Sequence, residues 1–313
     1  MPNSVLLLGG TDVTLAVAQA VRDSGAQLKG IVAVGDSFSI SYSARQIQNV
    51  RNADLAGWAR RNGVDLISFT TYDAVLNRFS GELPAICLVA GWYHMVPRRF
   101  RGAFARGCFG FHASLLPKFR GGAPLNWAIL SSMDETGVTL FEMADGVDMG
   151  LIFGQESFPI ASRATISDLV SASHDACATL TLHHLRALLN GSAMGRAQTG
   201  EASYGLQRTP EDGRIGWTRP RAEIDRLVRA VSRPYPGAFT MLDGERIQIW
   251  STQLPGEAPL VFGTPGQLAI LPQFDLPCVV TGDGILLIAE ATVAGDDCLD
   301  KLLKAGHKRF GTD

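Results

Sequence analysis

GFHASLLPKFRGGAPLNWAILSSMDETGVTLFEMADGVDMG, running from Gly110 to Gly150, is the stretch on which the reading of this chain turns. It sets one histidine, His112, ahead of Ser-Leu-Leu-Pro and follows with a basic, glycine-rich turn, Lys118-Phe119-Arg120-Gly121-Gly122-Ala123-Pro124. Asp148 closes the stretch between Val147 and Met149-Gly150. Polar groups on loops between apolar strands are where binding and chemistry concentrate.

Upstream, the chain alternates strand and helix. Val5–Leu8 is a buried-strand run, followed by Gly9-Gly10-Thr11 and a helical pattern through Val13, Leu15, Ala18 and Val21. Leu28–Val34 reads as a strand, Asp54–Arg61 as a helix, Val64–Ser68 as a strand, Tyr72–Arg78 as a helix and Leu83–Ala90 as another strand. Short apolar strands alternating with helices predict a mostly parallel, Rossmann-like sheet covered on both faces. Ligands of such sheets bind beyond the carboxyl ends of the strands, so Gly91-Trp92-Tyr93-His94-Met95 becomes a candidate pocket wall. The Gly9-Gly10 pair lacks a full GxGxxG, and a turn needing positive φ explains it better than a bound nucleotide.

Downstream, a helix is expected from Thr165 to about Asn190, its apolar face marked by Leu169, Val170, Ala176, Leu180, Leu185 and Leu188. Residues 191–203 read as a linker. From Tyr204 the chain turns to proline, glycine and short strands, with Asp243-Gly244 between Ala238–Leu242 and Arg246–Trp250 and a second such device in Cys278–Ile288. Asp-Gly between alternating strands is a hairpin signal, and a smaller, mainly β barrel is expected here.

Composition removes several classes. Hydrophobic residues make up 46% and charged residues 19%, with a net charge of -2, which suits a globular chain without a general affinity for nucleic acid. No apolar run approaches the roughly 18 residues of a membrane span, and the first residues read as a core strand rather than a signal peptide. The five cysteines follow no CxxC spacing, as expected of reduced thiols in a cytoplasmic protein. His183-His184 lacks partners at i+4, and no spacing reads as a metal set.

The Gly110–Gly150 stretch resembles the 10-formyltetrahydrofolate-dependent formyltransferases, of the methionyl-tRNA and sugar-nucleotide types. Their pattern reads Asn-x-His-x-Ser-Leu-Leu-Pro, with an aspartate in a later Asp-x-Gly; here the asparagine position is Gly110. Pro210–Trp217 and Arg233–Phe239 look like the segments that open the family's OB-like C-terminal domain. The resemblance implies a catalytic domain over 1–190, the linker 191–203 and an OB-like domain over 204–313.

It also implies chemistry. Formyl transfer to an amine requires that the amine lose a proton, that the developing oxyanion be stabilised and that the donor be held. A histidine titrating near neutrality suits the first task, and an aspartate beside it can orient the ring. Carried over by position, His112 is the base and Asp148 its orienter. The asparagine that helps stabilise the oxyanion is missing at Gly110, and one such donor is worth roughly 2.7–4 kcal/mol. Three readings compete: a water or Asn126 fills the gap, the extra room admits a different donor or acceptor, or the standard chemistry is lost.

For 10-formyltetrahydrofolate as co-substrate, the resemblance points to Trp92, Tyr93, His94 and Met95, with Asp145. Ser114, Lys118, Arg120, Gly121, Gly122 and Asn126 fall on the acceptor side, where Arg120 suits bidentate phosphate contact better than Lys118. Ser114 is equally a turn serine; without a GxSxG elbow it is no nucleophile.

The acceptor is argued from charge. Residues 205–313 hold 12 Lys and Arg against 14 Asp and Glu, and residues 1–204 hold 16 of each. A tRNA-gripping face should be positive, and the only modest basic cluster is Arg219, Arg221, Arg226, Arg229 and Arg233. A small-molecule amine is therefore expected over tRNA. Ala123–Trp127 is worded more like the sugar-nucleotide enzymes. A formimidoyl or carbamoyl transferase, a formyl-folate hydrolase and a non-catalytic folate-binding protein remain as alternatives. Edge strands of the C-terminal barrel offer a route to a homodimer.

Overall fold

In the computed structural model, residues 3–35, 37–40, 43–49, 51, 53–257 and 259–311 are described. Two compact units emerge. The first comprises Met1–Pro124, Glu135–Pro159 and Val170–Leu206; the second comprises Leu125–Asp134, Ile160–Leu169 and Gln207–Asp313.

The chain runs β1 (Ser4–Leu8), α1 (Asp12–Asp23), β2 (Gln27–Ala33), β3 (Ser37–Ile40), β4 (Ser43–Gln48), α2 (Leu55–Asn62), β5 (Asp65–Ser68), α3 (Tyr72–Arg78), β6 (Ile86–Val89), α4 (Arg98–Arg101) and β7 (Cys108–His112). There follow β8 (Arg120–Gly121), α5 (Pro124–Leu130), β9 (Glu135–Glu142), β10 (Ile152–Pro159), α6 (Ile166–Asn190) and β11 (Tyr204–Gly205). Helix starts are capped as their sequences suggest: Asp54 accepts from Gly57 N at α2, and Thr71 accepts from Ala74 N at α3.

The main sheet has the order β10-β9-β7-β6-β1-β2-β5. The pairs among β7, β6, β1, β2 and β5 are parallel, while β9 and β10 extend the sheet antiparallel. Strand β1 lies inside it between β6 and β2, fully buried on both sides. Val5 and Leu7 pack with Val17, Ala18, Leu180 and Leu185, whereas Leu6 and Leu8 join Val32, Cys87 and Phe100. That alternation explains why the run reads as continuously apolar. The strand order reverses between β1 and β6, so their carboxyl ends, together with that of β7, form the crevice where ligands of such sheets bind.

In the second unit, α7 (Arg221–Val231) precedes β12 (Ala238–Leu242), β13 (Glu245–Gln253), β14 (Leu268–Ala269), β15 (Cys278–Val280), β16 (Ile285–Val293), β17 (Asp296–Asp297) and α8 (Leu299–Lys304). Its antiparallel sheet has the order β12-β13-β16-β15-β14, with β17 on β16. The last described residues bridge both edges, Gln267 with Arg309 and Met241 with Gly311, returning the sheet toward closure. Asp243 (φ 52°) and Gly244 (φ 81°) form the hairpin turn their sequence predicts.

One expectation changes, and two segments show order that periodicity does not read. Neither Gly9 nor Gly10 has positive φ. Glycine is required by close approach instead: a Cβ on Gly9 would lie 2.3 Å from Thr14 Oγ1 and 2.4 Å from the Ala90 carbonyl. The hairpin of β3 and β4 is short and mostly polar, Phe38 and Ile40 alternating with serines over only four residues, and it falls outside the elements expected from the sequence. Residues 191–203, expected as a linker, are held by hydrogen bonds to distant strands. Arg196 pairs with Ile152 through hydrogen bonds in both directions, Ser203 bonds Phe119 and Arg120, and β11 then pairs with β8.

Candidate active site

Strand β7 delivers the histidine. Cys108, Gly110 and His112 alternate onto one face, with Gly110 opposite Phe141 and His112 opposite Thr139 on β9. His112 is buried at the strand's carboxyl end, its Nδ1 3.4 Å from Asp148 Oδ2 and its Nε2 2.7 Å from the Phe119 carbonyl. A carbonyl only accepts, so Nε2 donates there. A neutral ring can satisfy only one of these two acceptors; a doubly protonated ring satisfies both.

The loop after β7 is tied to itself and to β9. Ser114 Oγ donates to the Lys118 carbonyl, and Thr139 Oγ1 accepts from Leu116 N while donating to the Ser114 carbonyl. Ser114 therefore shapes the turn that aims His112. Gly121 (φ 96°) needs its lack of a side chain, since a Cβ would lie 2.7 Å from the Gly205 carbonyl. Its amide donates to Asp148 Oδ2 at 2.8 Å, and the Gly122 amide donates to the Gly205 carbonyl.

Two residues expected on the acceptor side are engaged elsewhere. Arg120 is buried, with Nε and Nη2 donating to Gln198 Oε1 and Nη1 donating to Tyr204 Oη. Its fork grips the protein's own amide rather than an open surface, leaving exposed Lys118 as the outward cation of this turn. Asn126 is buried on α5, its amide donating to the Ala230 carbonyl at 2.7 Å, so it is not the spare donor for the gap at Gly110. At Gly110 a Cβ would lie 2.6 Å from Met143 Sδ and 3.2 Å from Phe141 Cε1.

On the other flank, the loop after β6 forms an aromatic wall. Trp92 and His94 lie 4.9 and 5.0 Å from the ring of Phe69. Trp92 Nε1 donates to Tyr72 Oη, which donates to the Met95 carbonyl. Burial pushes the Tyr72 hydroxyl up to about 12, against the opposing effect of the Trp92 hydrogen bond, so it stays a donor. Burial likewise lowers the His94 imidazole below its ordinary value. Tyr93 donates to Asn49, and Asp145 is paired with Arg101 of α4, which also holds the Val96 carbonyl. Asn49, Thr139 and Gln198 are site-side residues that sequence reasoning missed. Among the described residues no group of three or more His, Cys, Asp or Glu is set to hold a metal, and no helix is long and apolar enough to cross a membrane.

A two-unit chain whose first unit sets a His–Asp pair at the crevice of a mostly parallel sheet is matched by the formyl transferase profile over residues 5–184 and by the formyl transferase C-terminal domain profile over residues 208–301. The chain belongs to the formyl transferase family, and so to a family of transferases. It is 28% identical over 298 residues to a methionyl-tRNA formyltransferase of Sorangium cellulosum, covering 94% of this chain and 89% of that protein. The corresponding protein of Cereibacter sphaeroides is 36% identical over 191 residues, 61% of each chain. Among solved structures, the fold matches HypX from Aquifex aeolicus, crystallised with tetrahydrofolic acid (TM-score 0.67, 16% identity, 96% of this chain), though the chain spans only 48% of HypX. It also matches WlaRD, a sugar 3N-formyl transferase solved with dTDP and 5-N-formyl-THF (TM-score 0.62, 17% identity, 95% of this chain and 99% of that one).

Proposed function

We propose that the protein moves a formyl group from 10-formyltetrahydrofolate to the amine of a small molecule, an amino sugar nucleotide or an amino-acid derivative. The observation that carries this reading is the His112 Nδ1 to Asp148 Oδ2 approach of 3.4 Å at the carboxyl end of β7. The aromatic wall of Trp92 and His94 fits a flat heteroaromatic ring, with loop amides and carbonyls available to its polar edge. When bound, the folate supplies an activated formyl group. The chain's own part is to bind, orient and move protons. Asp148 accepts from Nδ1 and fixes the ring; the Nε2 proton, which faces the Phe119 carbonyl, leaves to solvent as the amine takes that carbonyl's place. The freed Nε2 then takes the proton of the attacking amine and returns it to the departing tetrahydrofolate nitrogen. Lys118 offers a charge to an anionic acceptor.

A methionyl-tRNA acceptor is the second reading, favoured by the full-length similarity to methionyl-tRNA formyltransferases. The absence of a net positive charge in either part of the sequence supports the small amine.

The test is calorimetric binding of a stable 10-formyltetrahydrofolate analogue, followed by turnover with candidate amines, in wild type and His112→Ala. Wild type should bind and turn over; His112→Ala should still bind, fold and lose at least about 100-fold in kcat. Retained turnover would remove His112 from the chemistry, and failure to bind would remove the folate donor.

A further inference from the structure

The segment that follows α6 crosses the site, and one of its side chains touches both loops that frame His112. Gln198 Oε1 accepts from Arg120 Nε at 3.1 Å and Nη2 at 2.6 Å. Gln198 Nε2 donates to the carbonyls of Asp148 at 2.7 Å and Gly150 at 2.9 Å. A guanidinium only donates and a carbonyl only accepts, so the amide fits in one orientation. The backbone of the segment is fastened on either side of it, by the Arg196–Ile152 bridge before and by β11 on β8 after.

We propose that Gln198 is a positioning residue for the His112–Asp148 pair, holding the Asp148 turn where its carboxylate faces the imidazole. This rests on the reading of that pair as the catalytic one. Asp148 has φ 52°, a left-handed conformation that costs a residue with a Cβ, though less for aspartate than for most, so the contacts around the turn decide how firmly it is kept. Apolar packing does not supply the hold, because Val147 and Met149 on either side are exposed. Hydrogen bonds do. The carboxylate is caught by Gly121 N, and the main chain of the turn by Gln198, whose other end grips Arg120, the residue preceding Gly121. One neutral amide thus locks the two halves of the loop pair to each other. Released, the turn relaxes to negative φ and carries Oδ2 away from Nδ1.

Gln198→Ala removes the clamp. Gln198→Glu keeps its shape and its grip on Arg120 but turns an acceptor toward two carbonyls. Met194→Ala is the control, since that side chain lies exposed on the same segment. In both Gln198 variants kcat should fall by about 10- to 100-fold, with KM for donor and amine within about twofold. The imidazole nitrogen resonances of His112, assigned by their loss in His112→Ala, should move at fixed pH in the direction they move in Asp148→Asn, and stay in place in Met194→Ala. Unmoved resonances in Gln198→Glu, or an unchanged kcat, overturn the proposal; should Gln198→Ala fail to fold, Gln198→Glu decides alone. A wild type that turns over no amine defeats the functional reading, while the resonances still report on the clamp.

Discussion

At Gly110 a side chain is excluded by its neighbours, not by the backbone, which lacks positive φ there. A Cβ would meet Met143 Sδ at 2.6 Å, the far end of a flexible side chain, and Phe141 at 3.2 Å. A thioether therefore occupies the volume in which the related pattern carries an asparagine. This argues against a roomier pocket, and the engaged amide of Asn126 argues against that residue as a substitute donor. Restoring the asparagine requires moving the methionine. Gly110→Asn alone should melt lower than wild type, because the Met143 side chain must change rotamer. Gly110→Asn with Met143→Ala makes room for the amide, and kcat should rise about 10- to 100-fold over wild type if oxyanion donation is what the glycine lacks. Steady-state kinetics with the same amine checks this. A fall below wild type would mean that the Met143 thioether contacts a substrate.

Elements differ in how legibly they were written. Strands β1, β2 and β6 and helices α1, α3 and α6 stand out because a buried element must be apolar at its own period. Leu169, Val170, Ala176, Leu180, Leu185 and Leu188, picked from spacing alone, are all buried. His112 and Asp148 were legible through the wording around them, not through periodicity, and only the fold could bring them to 3.4 Å. Gln198 was invisible because its segment is rich in glycine, serine and alanine, which reads as slack; its order comes from pairing with distant loops. Helix α1 holds a further group unread in the sequence. Burial would raise the Asp12 carboxyl, but hydrogen bonds from His174 and Arg51, with their charges, hold it down to about 2. A depressed carboxylate contributes stability above its unfolded value of about 3.9, and that contribution is lost as the pH falls toward about 2. Asp12→Asn should therefore weaken the fold near neutrality yet flatten the decline in urea midpoint between about pH 4 and about pH 2. A parallel decline in both proteins would show that the Asp12–Arg51–His174 cluster carries no linkage. On α3, Tyr72→Phe leaves Trp92 Nε1 without its acceptor. It should weaken binding of the formyl-folate analogue by about 5- to 10-fold in calorimetry, with kcat at saturation unchanged; a lost kcat with intact binding would detach the aromatic wall from the donor.

For the whole molecule the deciding quantity is the distribution of charge, since it separates a small acceptor from a polyanion. The arginines that looked like a basic cluster are partly neutralised in the fold. Arg229 pairs with buried Asp225 at 2.9 Å and donates to the Ala164 carbonyl, and Arg233 pairs with Glu290 at 2.7 Å while lying over the Trp250 ring. On the proposed small-amine reading, the remaining Arg219, Arg221 and Arg226 are too few for the many phosphate contacts that hold a tRNA. Salt reads that difference directly, because each phosphate contact contributes a slope of about -0.7 to -0.9 in log affinity against log salt. With an amino sugar nucleotide, log kcat/KM should fall with a slope no steeper than about -2, as for one diphosphate near Lys118. Methionyl-tRNA should be formylated at a lower kcat/KM in the same buffer. If it is instead the better substrate, with a slope of about -4 or steeper, the acceptor is tRNA, and the charge balance of the sequence has hidden a phosphate-binding face that forms only with the tRNA bound.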